Sequence, residues 1–160
     1  MNSQDKKLIR LAIEQARTSV KKGGFPAGAV IVKNGKVISE GVSVGFKNHD
    51  PSGHAETAAI REACRKLKTT NLNGAVLYES LECCNMCFSV AYWSGISKIV
   101  FACRKTPEMV SKMYYEGKIN NKILNNKNNR KMKLVFAGEF ESEALKVVEE
   151  WEKQGGFDKK

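Results

Sequence analysis

Two short segments contain residues whose types and spacing could bind a metal ion and move protons. The first is His54-Ala55-Glu56, and the second is Cys84-Asn85-Met86-Cys87. One imidazole nitrogen and two thiolates supply three of the four ligands of a tetrahedral zinc ion, which leaves one position for water. This open coordination is typical of a catalytic zinc site rather than a structural one. The segments therefore predict one Zn²⁺ held by His54, Cys84 and Cys87.

Glu56 is the residue predicted to move protons. It lies two positions after His54, about 200° around a helix, so it need not share the metal. A carboxylate there can reach the zinc-bound water or hydroxide as proton acceptor and donor. Taken singly, a histidine near a helix start more often caps or packs, and Cys-x-x-Cys also occurs in redox pairs and structural half-sites. The order His-x-Glu and then Cys-x-x-Cys favours the signature of zinc-dependent base deaminases.

The elements that would position these residues follow from hydrophobic periodicity and turn residues. Helices are predicted over residues 4–20, 54–67, 82–94, 106–124 and 141–154, with a polar loop at 125–130. Strands are predicted over residues 29–32, 37–38, 75–78, 98–103 and 132–137, the first two joined by an Asn34-Gly35 turn. This alternation predicts an α/β fold in which helices cover both faces of a mixed sheet. Both chemical segments then begin helices, where free N–H groups and the helix dipole stabilise thiolate and hydroxide.

Length and composition are those of a globular protein. The chain has 160 residues, of which 42% are hydrophobic and 28% charged, so we expect one domain over residues 1–160. These values exclude a disordered chain, a collagen and a secreted mini-protein. With no apolar stretch near the roughly 20 residues of a membrane helix and no visible secretory signal, we expect a cytoplasmic protein without a membrane segment. Five cysteines, odd in number and clustered, favour reduced thiols.

Positive charge is concentrated in one part of the chain. The net charge is +10, and residues 104–133 alone carry nine basic and two acidic side chains. A segment of this density could steer an anionic partner such as RNA towards the protein. A solvated loop rich in lysine and asparagine is the simpler interpretation.

The sequence resembles the cytidine deaminase superfamily, and within it guanine deaminases first and tRNA adenosine deaminases next. The residues that carry the resemblance lie at positions 28–32, 49–56, 77–80, 84–87 and 92–93. It implies a three-layer α/β/α sandwich with a mixed five-stranded sheet, zinc bound by His54, Cys84 and Cys87, and Glu56 as the proton shuttle. It also implies a homodimer or higher homo-oligomer.

Three departures from the family pattern bear on the site and its substrate. Cys83 stands where the family has proline, so a third thiol lies beside the metal ligands as a competitor for zinc, an oxidisable switch or an inert neighbour. Ser43 stands where both purine-acting branches usually carry an asparagine that holds the base. Ala27 stands where guanine deaminases usually carry phenylalanine. The last two leave the substrate open.

Five residues are candidate substrate contacts. Glu116 is similar in placement to an extra acidic residue of guanine deaminases, although a solvent-facing helix position explains it equally well. Ser43 and the Ala55 backbone are candidates for holding the edge of the base. Trp93 and Phe25 are candidates for the pocket wall, with the hydrophobic core as the alternative.

We therefore expect a zinc-dependent hydrolytic deaminase that releases ammonia from an amino-substituted purine-type base, guanine first. Adenosine in tRNA is the second candidate, supported by the basic segment and by the loop at His49-Asp50-Pro51. Residues 104–107, however, do not match the pattern of tRNA adenosine deaminases. Cytosine or another amino-heterocycle is the third. An alternative of a different class is a non-catalytic zinc- or RNA-binding module. The presence of Glu56 disfavours it, because a structural zinc site needs no carboxylate beside an open coordination position. Imidazole and thiolates also suit iron.

Overall fold

A mixed sheet of five strands forms the centre of the computed structural model, which describes residues 1–159 and side chains as far as Phe157. The strands are β1 (Gly28–Lys33), β2 (Lys36–Val42), β3 (Val76–Leu81), β4 (Lys98–Cys103) and β5 (Lys133–Phe136). Their order in the sheet is β2-β1-β3-β4-β5. Strand β1 is antiparallel to β2 and β3, whereas β3, β4 and β5 run parallel. The predicted mixed five-stranded sheet is confirmed.

A two-residue turn joins β1 to β2 as the sequence predicts. Asn34 and Gly35 have φ values of 52° and 74°, and Lys33 pairs with Lys36 across them. A type I′ turn needs positive φ at both central residues, which asparagine and glycine tolerate best.

Helices cover both faces of the sheet. They are α1 (Ser3–Lys21), α2 (Gly45–Asn48), α3 (Ala55–Leu67), α4 (Asn85–Trp93), α5 (Pro107–Ser111), α6 (Asn121–Lys127) and α7 (Glu141–Lys153). Helices α1 and α7 contact each other, and so do α3 and α4. Successive residues of β3 reach opposite layers, since side chains alternate between the two faces of a strand. Tyr78 donates a hydrogen bond to Asp5 of α1, whereas Glu79 accepts one from Cys83, just before α4. The three-layer α/β/α sandwich is thus confirmed.

Helix α1 packs closely on the sheet. Its Asn2 and Asp5 form a reciprocal cap at the first turn, and its inner face, which includes Ile9 and Ile13, is fully buried. Glycine at position 28 permits the approach, because a Cβ there would lie 2.2 Å from the Ala12 carbonyl oxygen. Within residues 1–159, no helix combines the length and apolar character needed to cross a membrane.

The region after β4 differs from the prediction. The expected helix over 106–124 is two short helices, α5 and α6, which start at separate N-caps, Thr106 and Asn120. Met113, with φ of 60°, follows the end of α5. Helix α6 also extends into the segment predicted as a loop at 125–130. The irregular chain between the two helices brings residues 114–116 to the same side of the molecule as His54 and Cys84.

Candidate active site

Three side chains converge at the starts of α3 and α4. His54 is the N-cap residue of α3 and Cys84 that of α4, and neither side chain makes a capping hydrogen bond. His54 Nδ1 lies 3.5 Å from the sulfur of Cys84 and 3.5 Å from that of Cys87. All three candidate ligand atoms lie within 4.8 Å of one another.

These distances fit a tetrahedral zinc ion. With Zn–N near 2.0–2.1 Å, Zn–S near 2.3 Å and tetrahedral angles, the nitrogen and each sulfur should be about 3.6 Å apart. Both observed N···S distances are 3.5 Å. The donor set of one imidazole and two thiols is also one that zinc prefers. His54, Cys84 and Cys87 are therefore positioned to bind one metal ion.

Glu56 lies beside this cluster in the first turn of α3. Its side chain is buried, and its Oε2 lies 3.5 Å from the Cys87 sulfur. Burial, together with the charge of the nearby Cys84 sulfur, raises the pKa of Glu56 to about 7. A carboxyl group with a pKa near neutrality is suited to both accepting and releasing a proton.

A cavity of about 650 Å³ opens onto the cluster, within the range usual for small-molecule sites. Its walls combine two of the candidate metal ligands, His54 and Cys84, with aromatic side chains from distant parts of the chain. Phe157, beyond α7, stacks on Phe25 with ring centroids 6.0 Å apart and meets the edges of Phe46 and Tyr114. The C-terminal turn thus closes one side of the cavity.

The cavity includes most of the residues that the sequence singled out. His54, Glu56, Cys84, Ser43 and Glu116 all line it, as does Phe25. Ala55 is fully buried at the start of α3 and does not belong to the lining.

Trp93 requires a correction. It is the last residue of the nine-residue helix α4, eight positions or about 12 Å along the axis from Asn85 at the metal end. Its side chain is 82% exposed and does not line the cavity. The expectation that Trp93 forms a wall of the base pocket is therefore wrong for this chain, and so is the alternative of a core position.

Glu116 lies at the mouth of the cavity rather than on a solvent-facing helix. It is in the irregular segment between α5 and α6, where its Oε1 accepts a hydrogen bond of 2.5 Å from the Asn85 backbone N–H. The carboxylate therefore caps the first turn of α4, the helix that carries Cys87. This contact holds a second carboxylate in the same cavity as Glu56.

Sequence reasoning missed several residues of the site. Phe46, Met113, Tyr114 and Phe157 line the cavity, but they come from segments too short or too irregular to show a periodic pattern. The segment between the predicted strand at 37–38 and the predicted helix at 54–67 contains the short helix α2, which carries Phe46. An aromatic residue after the Gly155-Gly156 pair was the one signal available for Phe157.

Comparison with known proteins identifies the family. The family model for the cytidine and deoxycytidylate deaminase zinc-binding region matches residues 2–103, more than half of the chain. The chain belongs to this family. The resemblance to the cytidine deaminase superfamily is thus confirmed, and the matched region contains all three candidate zinc ligands and Glu56.

Individual relatives carry two different names. A tRNA-specific adenosine deaminase of Aquifex aeolicus is 42% identical over 94 residues, 59% of this chain and 62% of the relative. A guanine deaminase of Bacillus subtilis is 39% identical over 101 residues, 63% of each. A solved structure from studies of A-to-I editing by tRNA:A34 deaminases is 26% identical, with a TM-score of 0.75 over 89% of this chain and 99% of that one.

The sequence matches leave part of the site uncovered. This chain spans less than two-thirds of the length of either curated relative. The family match ends at Cys103, before the segment that carries Glu116. The choice of substrate must therefore be argued from the cavity itself.

Proposed function

We propose that this chain is a zinc-dependent hydrolytic deaminase that releases ammonia from an amino-substituted purine base, with guanine as the favoured substrate. The observation that carries the proposal is the pair of carboxylates, Glu56 and Glu116, lining one cavity with the metal-binding cluster. Family membership supports the reaction class, and the cavity supports the substrate.

His54, Cys84 and Cys87 would hold the metal in this reaction. Zinc in such a site supplies a water-derived nucleophile near neutral pH. Glu56 accepts the proton released from water, and it then donates protons to a ring nitrogen and to the departing ammonia. Its buried position and a pKa of about 7 suit both roles. Water and guanine are consumed, and xanthine and ammonia are formed, without any redox step.

Guanine fits two carboxylates better than the other bases do. Its reacting carbon, C2, carries the amino group and is flanked by a ring N–H, so donors cluster at the reaction centre. The reacting carbons of adenine and cytosine have no ring N–H beside them. A carboxylate accepts hydrogen bonds only, and hydrogen bonds to a charged group contribute about 1.5–3 kcal/mol. Glu116 therefore favours guanine at this cavity, while aromatic walls offer faces for stacking.

Adenosine in tRNA is the second candidate, because the Aquifex aeolicus relative bears that name. The basic segment 104–133 gives it little support, since several of its cations bind groups within the chain. Lys105 Nζ donates to the Ile119 carbonyl, and Arg130 donates to the carbonyls of Ile96 and Tyr92. Lys112 pairs with two glutamates. Cations committed in this way are less available to phosphates.

The experiment that tests the proposal measures ammonia release by the zinc-loaded chain from three substrates. These are guanine, cytosine and a tRNA with adenosine in its anticodon loop. We expect guanine to have the highest kcat/KM, with no dependence of its KM on salt. Preferential turnover of tRNA, with affinity falling steeply as salt rises, would establish the alternative. Two further expectations stay predictions: the cytoplasmic location and the homo-oligomer, of which only the second is implied by the resemblance.

A further inference from the structure

The residue before the ligand Cys84 is held through its backbone and its side chain. The Cys83 backbone N–H donates to Glu79 Oε1 at 2.9 Å. On the other side, Asn121 Nδ2 donates to the Cys83 carbonyl oxygen at 2.9 Å and lies 3.3 Å from the Cys83 sulfur. Glu79 comes from β3 and Asn121 from the first position of α6, so two separate elements fix one residue.

The neighbouring Glu82 strengthens this arrangement. Its carboxylate accepts the backbone N–H groups of Lys105, at 3.0 Å, and of Asn121, at 3.2 Å. Its carbonyl oxygen accepts the Tyr115 hydroxyl at 2.7 Å. The two residues before Cys84 therefore cannot shift without breaking several buried hydrogen bonds.

Glu79 and Asn121, the two side chains that bind Cys83, lower the stability of the fold by burying polar atoms. Glu79 is 0% exposed and Asn121 is 2% exposed. Among the described residues, Glu79 Oε2 and Asn121 Oδ1 have no hydrogen-bond partner. A buried polar atom without a partner costs free energy that an apolar side chain at the same position would avoid. Stability alone does not explain these two side chains, whereas a requirement to fix Cys83 does.

We propose that Glu79 and Asn121 are positioning residues of the metal centre. Neither touches the metal, and both act through the Cys83 peptide groups to keep the Cys84 sulfur in tetrahedral relation to His54 Nδ1. The Cys83 thiol is not a ligand, because it contacts Asn121 and lies outside the cluster of His54, Cys84 and Cys87. It is 1% exposed, so it is also shielded from oxidants. The inference rests on the metal site of the proposed function and not on the identity of the substrate.

Zinc affinity of the folded chain tests the proposal without any substrate. Competition with a chromophoric chelator would be measured for Glu79→Ala and Asn121→Ala. Loss of a group bonded directly to a metal ligand weakens binding about 10- to 100-fold. Because Glu79 and Asn121 act through the residue before Cys84, each variant should bind zinc about 10-fold more weakly, at the lower end of that range. Glu79→Gln keeps an oxygen that can accept from Cys83, so it should bind zinc like the unmodified chain.

Tyr78→Phe is the matched control, because it removes a buried hydrogen bond from the same strand on the opposite face of the sheet. It should leave zinc affinity unchanged even where it lowers the free energy of unfolding. An equal loss of zinc affinity in Tyr78→Phe would show general destabilisation and overturn the proposal. Normal zinc affinity in Asn121→Ala would overturn it too, and this variant decides the question if Glu79→Ala does not fold.

Cobalt(II) provides a spectroscopic readout of the same point. Cys83→Ser should leave the thiolate-to-cobalt charge-transfer absorption unchanged, because two thiolates still bind the ion. Asn121→Ala should alter the visible d–d bands, which report the geometry of the ligands. A weaker charge-transfer band in Cys83→Ser would make Cys83 a ligand and contradict the assignment.

Discussion

Replacing Glu116 with glutamine separates its charge from its structural contact. The Glu116→Gln side chain keeps an oxygen that can accept the Asn85 N–H, which Glu116 Oε1 now accepts at 2.5 Å. It loses the negative charge and offers an NH₂ group, which repels the N–H donors of guanine. Hydrogen bonds to charged groups contribute about 1.5–3 kcal/mol. The expected fall in kcat/KM for guanine is therefore roughly 10- to 150-fold.

The assay is ammonia release from guanine, at equal zinc content and with the midpoint of thermal unfolding measured for each variant. Glu108→Gln is the control, because Glu108 belongs to the same region and pairs with Lys112 away from the cavity. It should keep the kcat/KM of the unmodified chain. If Glu116→Gln also kept that value, within a factor of two, the argument from paired carboxylates to guanine would be refuted.

Three further predictions concern the cavity wall, the opposite face of the sheet and the core. Phe157→Ala should raise KM for guanine by roughly 5- to 150-fold without loss of zinc, because an aromatic ring beside a base contributes about 1–3 kcal/mol; an unchanged KM would exclude the ring from the site. Burial raises the pKa of Asp5, but hydrogen bonds from Tyr78 and Asn2 and the charge of Lys98 outweigh it and hold that pKa below 3.8. Ionised Asp5 therefore stabilises the fold at neutral pH, and this contribution is lost as the pH falls through its lowered pKa. Asp5→Asn should reduce the free energy of unfolding by about 1 kcal/mol at pH 7, and the difference measured by urea denaturation should shrink at pH 4 and below. A difference that does not change with pH would contradict this direction. Phe88→Ala should cost about 3–5 kcal/mol in urea denaturation, because Phe88 is fully buried, and a cost below 1 kcal/mol would show that the core is packed differently.

Local patterns carried enough information to predict the sheet, the long helices and the metal centre. Helix α1 was predicted within one residue at each end because its apolar stripe is regular. The turn at Asn34-Gly35 was predicted because few residue pairs tolerate two positive φ values. The metal-binding residues were found because their ligand chemistry is specific and because His54 and Cys84 both begin helices.

Contacts between distant segments could not be predicted in the same way. Phe157 reaches Phe25 across most of the chain, and no periodicity links the two positions. Trp93 was misplaced although helix geometry could have excluded it, because the last residue of the nine-residue helix α4 lies about 12 Å along the axis from the metal end. The hydrogen bonds that Cys83 makes with Glu79 and Asn121 depend on the face of β3 and on the start of α6. Because a single helix was predicted over 106–124, the start of α6 at Asn121 was not predicted.

The most direct test of the central claim is the rate of xanthine formation from guanine by the zinc-loaded chain and by Glu56→Gln at equal zinc content. The account predicts rapid turnover by the unmodified chain and a decrease of at least about 100-fold in the variant, since general acid–base catalysis contributes roughly 10²–10⁴. Retained turnover in Glu56→Gln would contradict the role of Glu56. No xanthine from the unmodified chain would contradict guanine as the substrate and leave the metal site standing.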